Sequence, residues 1–193
     1  WVFKHSLKYL QQLKAKGVPL PMLSVNLSGS TVGDENAIDY ILSGFSDSGI
    51  SPRHIQSEIT ETAAVKHLQE AKRLIATLRS VGVSIALDDF GSGHASYAHL
   101  KNLPVNFLKI DGMFVKDIEH DPIDFSIVKS MNEVGQVLGM KTIAEYVEND
   151  AIKQKLIDIG VDFLQGYGVA RPAPLDDLLN QLDESEELQQ EDA

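Results

Sequence analysis

The stretch Ser84-Ile-Ala-Leu-Asp-Asp-Phe-Gly-Ser-Gly93 decides the fold. Residues 84–89 read as a buried strand, and Phe90 to Gly93 reads as a glycine-rich turn. A strand running into glycines can open a dinucleotide-binding sheet. Here the third glycine of that fingerprint is missing, and so is its acidic residue. The strand ends instead on two adjacent carboxylates, Asp88 and Asp89.

Around this stretch, short β-rich runs alternate with helical patterns. Residues 1–16 read as a helix with Val2, Leu7, Leu10 and Leu13 on one face, ended by Gly17 with Pro19 and Pro21 beyond. Strands are expected at 22–27, 55–60, 84–89, 106–111, 141–147 and 161–165. Helices are expected at 34–48, with Asp34 as a cap, and at 64–81, 94–102, 121–140, 150–159 and 175–182. Pro122 suits the first turn of its helix. The reading is one helix followed by six βα units, with no internal linker or low-complexity segment.

Strict βα alternation means a parallel sheet covered by helices, as a (β/α)8 barrel or as a doubly wound open sheet. Polar residues discriminate between them. Asn26, Glu58, Asp88 with Asp89, Lys109, Glu145 and Gln165 sit at or near the C-terminal ends of six different strands. A barrel gathers all those ends on one rim, where barrel enzymes place their chemistry, whereas an open sheet spreads them along a line. The expected fold class is α/β, a TIM-type barrel. A whole barrel takes about 250 residues. A chain of 193 with six units is therefore expected to be incomplete by about two strands, its seam open or closed by another segment or chain. The helix-like opening at Trp1 likewise predicts an earlier segment.

Composition sets the outer limits. The net charge is −11, from 17 Lys+Arg against 28 Asp+Glu, which argues against binding a nucleic-acid polymer through a basic surface. Residues 183–193 carry −6 of it and read as a solvated acidic tail after a single domain over 1–182. Without cysteine there is no disulfide framework, zinc knuckle or thiol nucleophile. No apolar run reaches the roughly 20 residues of a membrane span, and no signal peptide is visible. The expectation is a cytoplasmic location without direct membrane contact.

Four carboxylates converging on one rim, Glu58, Asp88, Asp89 and Glu145, cannot all ionise without compensating cations. Oxygen ligands without His or Cys partners suit Mg²⁺ or Mn²⁺ rather than zinc. The six histidines show no metal-ligand spacing. Adjacent Asp88 and Asp89 allow one carboxylate to bridge two ions, and two ions about 3.5–4 Å apart form a clamp for in-line displacement at phosphorus. Lys109 on the same rim would orient the attacking water and offset developing charge. Tyr146 and Tyr167 read as packing side chains rather than base-stacking platforms.

Six stretches, in order, now carry a resemblance. They are Ser24-Val-Asn-Leu-Ser28, Ser57-Glu-Ile-Thr-Glu-Thr62, Leu87-Asp-Asp-Phe-Gly-Ser-Gly93, Leu108-Lys-Ile-Asp111, Thr142-Ile-Ala-Glu-Tyr-Val-Glu148 and Leu164-Gln-Gly-Tyr167, the last followed by Arg171-Pro172. Together they resemble the EAL domain family, phosphodiesterases of bacterial cyclic di-GMP. The resemblance implies a modified TIM barrel that hydrolyses cyclic di-GMP to linear pGpG with two divalent cations. It implies metal positions at Asn26, Glu58, Asp88, Asp89 and Glu145. Lys109 matches the lysine that holds the attacking water, and Gln165 matches a glutamine of the active-site rim. Glu61 matches a glutamate that braces the loop after Asp88-Asp89, a loop coupled to homodimer packing. Asp111, Glu148, Tyr167, Arg171 and Pro172 fall at positions near the substrate.

Three departures stand out. No Glu-Ala-Leu tripeptide occurs in the chain, and it is expected upstream of Trp1, with a metal-ligating glutamate and a phosphate-binding arginine. Positions 94 and 95 are His and Ala where the family commonly has Tyr and Ser, and Tyr146 stands where it commonly has Gly. The alternatives are a receptor that binds cyclic di-GMP without cleaving it and a dimerising regulatory module. Family members often follow a sensor or cyclase-like domain, sometimes in a membrane-anchored protein.

Overall fold

The structure is a computed structural model that describes residues 1–92 and 100–175. Six strands form one parallel sheet: β1 (Leu23–Leu27), β2 (Ile55–Thr60), β3 (Ser84–Phe90), β4 (Phe107–Ile110), β5 (Lys141–Ala144) and β6 (Phe163–Leu164). They lie side by side in sequence order. Barrel winding produces that order, whereas a doubly wound sheet reverses direction partway. Among the described residues β1 and β6 are the sheet's two edges, so the barrel is not closed. The expected helix at 94–102 lies largely outside the described residues. Nearly all of the helix at 175–182 and the whole tail at 183–193 also lie outside them.

Eight α-helices are described, besides one 3-10 turn at Pro52–His54: α1 (Val2–Lys16), α2 (Gly29–Val32), α3 (Ala37–Ser48), α4 (Glu61–Lys66), α5 (Leu68–Ser80), α6 (Gly112–Val115), α7 (Pro122–Val137) and α8 (Asp150–Ile159). Successive strand residues point to opposite faces. Ile55, Ile59, Ile85, Leu87, Leu108 and Ile110 therefore share one face and join a single buried cluster with helix residues such as Leu74, Leu78, Val128 and Leu156. The other face carries Gln56 and Glu58 of β2, Asp88 of β3 and Lys109 of β4, all buried despite their polarity.

Where the boundaries differ from the sequence reading, the causes are local. The helix expected at 64–81 starts earlier, at Glu61, because the Thr60 side chain accepts a hydrogen bond from the Ala63 N–H. It then breaks at His67, whose φ of −123° and ψ of 50° are not helical. Asp34 does not cap α3: its carboxylate accepts from the Asn36 N–H in a turn before the helix. The strand expected at 141–147 stops at Ala144, because Tyr146 turns the chain with a φ of +60°. Helices α2 and α6 are single turns of four residues, capped by Ser28 and Asp111 and too short to show a period.

One polar network sets the position of β5. The Thr142 hydroxyl donates to Asn132 Oδ1 of α7 at 2.6 Å, and Asp162 accepts from the Thr142 N–H at 2.9 Å and from Lys141 Nζ at 2.6 Å. Burial alone would raise the Asp162 carboxyl, but the bonds from Lys141 and Thr142 outweigh it and hold the group below its ordinary value. Helix α7, β5 and the turn before β6 are thereby tied together just below the residue that follows β5, Glu145.

Candidate active site

The site follows from sheet register. Asn26 of β1 pairs with Glu58 of β2, and Glu58 pairs with Ala86 of β3, so these three leave the same face. Ala86 pairs with Phe107 of β4. Two residues further along each strand, the same face presents Asp88 and Lys109. Lys109 is in register with Ile143, and Glu145 lies two residues beyond that. Residues 51 positions apart in sequence thus meet as first neighbours: Lys109 Nζ lies 3.0 Å from Glu58 Oε2.

Lys109 is the hub. Its Nζ also lies 2.8 Å from Asp88 Oδ1 and 2.8 Å from Glu145 Oε1. The lysine side chain is 4% exposed. Desolvation pushes its ammonium down, but hydrogen bonds to Asp88 and Glu145 and the charges of Glu145 and Glu58 outweigh it. The net shift is upward, so Lys109 stays protonated. Asp88 Oδ1 is buried, and the Lys109 ammonium is the charge that stands beside it.

A bulge adds the second aspartate. The pairing of β3 with β4 shifts between Leu87 and Phe90, and Asp89 takes a φ of +56°. An unbroken strand would send Asp88 and Asp89 to opposite faces. The extra residue turns both toward one point: carboxylate oxygens of Asp88, Asp89 and Glu145 lie within 4.8 Å of one another. Burial raises the Asp89 carboxyl above its ordinary value, with the charges of Asp88 and Asp111 adding to the shift. Burial also raises Glu145; Lys109 opposes the shift, and Asp88 and Asp89 reinforce it. Four carboxylates share one ammonium. This surplus of hard oxygen donors over one ammonium fits hard divalent cations.

Beside the cluster opens a cavity of about 590 Å³. Asp89, Asp111, Glu145, Glu148, Gln165 and Tyr167 line it. Asp111 is already engaged, since its carboxylate caps α6 by accepting from the Met113 N–H at 2.8 Å. Gln165 is placed by its own backbone, which donates to the Ala144 carbonyl and accepts from the Val147 N–H. Glu61 lies outside the cavity and is 1% exposed; its Oε2 accepts from the Gly91 N–H at 2.8 Å, which braces the start of the loop after Asp88-Asp89. Positions 94 and 95 of that loop lie outside the described residues.

Three expected residues are not brought in directly. Asn26 shares Glu58's face but is exposed, and its side chain makes no hydrogen bond among the described residues. Arg171 does not line the cavity; its guanidinium lies 5.1 Å over the Tyr167 ring. Pro172 does not line it either. Other residues escaped the sequence reading. Gln56 is buried below Glu58 and donates to Glu58 Oε1 at 3.4 Å and to Ser24 Oγ at 3.1 Å. Its spacing of two from Glu58 was the available signal. Gly112 and Met113 of α6 and Lys116 just after it line the cavity, and no pattern in the sequence marks them. Tyr146 and Tyr167 line it too, both more than half exposed, which corrects their reading as packing residues.

Fold and site define a TIM-barrel-like α/β protein with an acidic pocket at the carboxyl ends of its strands. The chain belongs to the EAL domain family, whose model matches residues 1–172. Among its relatives is the cyclic di-GMP phosphodiesterase PdeB of Shewanella oneidensis, 44% identical over 153 residues, covering 79% of this chain and 18% of the relative. Another is the cyclic di-GMP phosphodiesterase PdeF of Escherichia coli, 34% identical over 183 residues, covering 95% of this chain and 24% of the relative. The chain therefore spans a quarter or less of the length of these relatives. A solved structure described as PaMucR phosphodiesterase in complex with c-di-GMP superposes with a TM-score of 0.85 at 31% identity, covering 92% of this chain and 72% of that one. The EAL domain of Mycobacterium smegmatis DcpA gives 0.87 at 26% identity, covering 95% and 83%. No helix among the described residues is long and apolar enough to cross a membrane.

Proposed function

We propose that this chain carries the catalytic site of a metal-dependent phosphodiesterase that opens one phosphodiester of cyclic di-GMP to give linear pGpG. The observation that carries the reading is the protonated Lys109 held against Glu58, Asp88 and Glu145, with Asp89 turned into the same site at the edge of an open cavity. The names of the relatives and of the superposing complex support the substrate. Asn26, Glu58, Asp88, Asp89 and Glu145 would hold two divalent ions, Mg²⁺ or Mn²⁺, which when bound neutralise the phosphodiester and acidify the attacking water.

The chain's own residues do the rest. Lys109 cannot be the proton acceptor, because its surroundings keep it charged. It donates a hydrogen bond to the water and offsets charge growing on the phosphoryl oxygens. The water oxygen gives up a proton and forms the new bond to phosphorus, the ester bond to the ribose 3′-oxygen breaks, and that oxygen takes up a proton from solvent, leaving a 5′-phosphate and a 3′-hydroxyl. The Glu61 bond to Gly91 holds the turn that directly follows Asp88-Asp89, the route by which homodimer packing would reach the site. The domain would work in the cytoplasm, where this messenger is made.

The test is hydrolysis of cyclic di-GMP by the full-length protein with Mn²⁺, followed by chromatography of the product. Lys109→Ala is expected to lower kcat by roughly 10²–10³-fold with little change in KM, since an aimed donor acts mainly in the transition state. A folded wild-type protein that yields no linear dinucleotide overturns the proposal.

A further inference from the structure

We infer that Tyr146 is the platform on which a nucleobase of the bound nucleotide stacks, an inference that takes its ligand class from the cyclic dinucleotide reading above. Tyr146 and Asp89 are the described non-glycine residues with positive φ, and Tyr146 is the bulky one, at +60°. Side chains of that size rarely adopt this conformation, and such strain clusters at functional sites. Glycine would take the same turn without strain. The tyrosine brings nothing to the core in exchange: Ala144 and Val147 on either side are fully buried, while Tyr146 is 58% exposed.

The ring is nonetheless placed. A Cβ at Gly112 would lie 2.6 Å from Tyr146 Cβ and 3.0 Å from its Cγ, so only glycine at 112 leaves room for it. The two positions are matched, and the match stands the ring on the cavity wall next to Glu145, with Met113 lining the same wall. Tyr167 is the other aromatic residue of this cavity, but Arg171 already covers its ring at 5.1 Å. The structure gives Tyr146 no aromatic or cationic partner among the described residues. Its flat apolar face is open, beside carboxylates suited to hold the cations of a phosphate group. A nucleotide joins those two requirements in one molecule, phosphate toward Asp89 and Glu145 and base toward Tyr146.

The test pairs two probes that carry the same phosphate with and without a base. GMP and ribose 5-phosphate are titrated calorimetrically into wild type, Tyr146→Gly and Tyr146→Phe in Mn²⁺ buffer. Removing one base–aromatic stack is expected to weaken GMP by roughly ten-fold in Tyr146→Gly and to leave ribose 5-phosphate within about two-fold. Tyr146→Phe, which keeps the ring, should bind both probes like wild type. Glycine suits the turn, so a Tyr146→Gly protein is expected to fold. Equal weakening of both probes means Tyr146 merely shapes the site, and unchanged GMP binding means no stack forms; either result overturns the inference. Turnover of cyclic di-GMP by the wild type is read in parallel. A Tyr146-dependent preference for GMP without turnover keeps this inference and removes the hydrolytic one.

Discussion

Replacing Lys109 by methionine tests the charge balance of the site before any chemistry. The ammonium sits 2.8–3.0 Å from three carboxylates and is 4% exposed. Methionine fills similar space but leaves Glu58, Asp88 and Glu145 facing one another without a cation. Removing one partner of a buried ion pair costs about 3–5 kcal/mol. For a chain of this size each kcal/mol moves Tm by roughly 2–4 °C, so a fall of about 6–20 °C is expected at pH 7.5 in EDTA. The sign with pH follows from the directions of the shifts. Lys109 is raised above its ordinary 10.5, so its stabilisation is fully present below pH 10.5 and is lost only as pH rises through the raised value. At pH 7.5 the variant therefore loses all of it. Asp89 and Glu145 are raised too, so each favours folding more as pH falls from neutral through its raised value toward its ordinary one. Without the ammonium to oppose that rise, the variant should recover more on acidification to pH 5 than wild type gains. Mn²⁺ at pH 7.5 should recover part of the loss as well, because it replaces the missing positive charge. Thermal unfolding by circular dichroism at both pH values, with and without Mn²⁺, measures all of this. A variant melting within about 2 °C of wild type at pH 7.5 in EDTA, or one losing still more stability at pH 5, refutes the reasoning.

Four further outcomes are expected. Glu58→Gln removes a charged oxygen from the cation site, and a Mn²⁺ titration should show affinity reduced by at least roughly ten-fold. Thr142→Val cuts the bonds to Asn132 and Asp162 and leaves buried polar atoms unpaired, which should cost about 1–3 kcal/mol in urea unfolding without moving Mn²⁺ affinity. Gly91→Ala would put a Cβ 2.4 Å from Met131 Cε and 2.8 Å from Phe114 Cε2 at a φ of +101°. It should displace the turn that Glu61 braces, lowering both Tm and turnover, whereas Glu61→Ala should lower turnover with the φ strain absent.

The separation of Asp88 from Asp89 shows where reading the chain stops. That both residues end a strand was legible, because hydrophobic runs bounded by glycine mark strand ends. That both face one point was not derivable from period-2 alternation, which sends neighbours to opposite faces; it took a bulge whose register shift only the partner strand defines. Gln56 was legible in principle, two residues before Glu58, but nothing marked it as functional until its amide was seen under the carboxylate. Met113 belongs to a one-turn helix with no period and Lys116 follows that helix, so their place on the cavity wall comes from the contact of α6 with Tyr146, not from a pattern.

The sequence by itself determined the alternation of strands and helices, the polar residues at strand ends and their chemical type, because these depend on local periodicity and on which side chains carry oxygen or nitrogen. It also carried the family, because six stretches fall in family order. Only the tertiary structure decided that Lys109 touches three carboxylates at once, that Asp111 is occupied as a helix cap and Arg171 lies over the Tyr167 ring, and that Tyr146 lines the cavity. Those are distances between residues remote in the chain, set by sheet register, one bulge and two turns at positive φ, and no local preference encodes them.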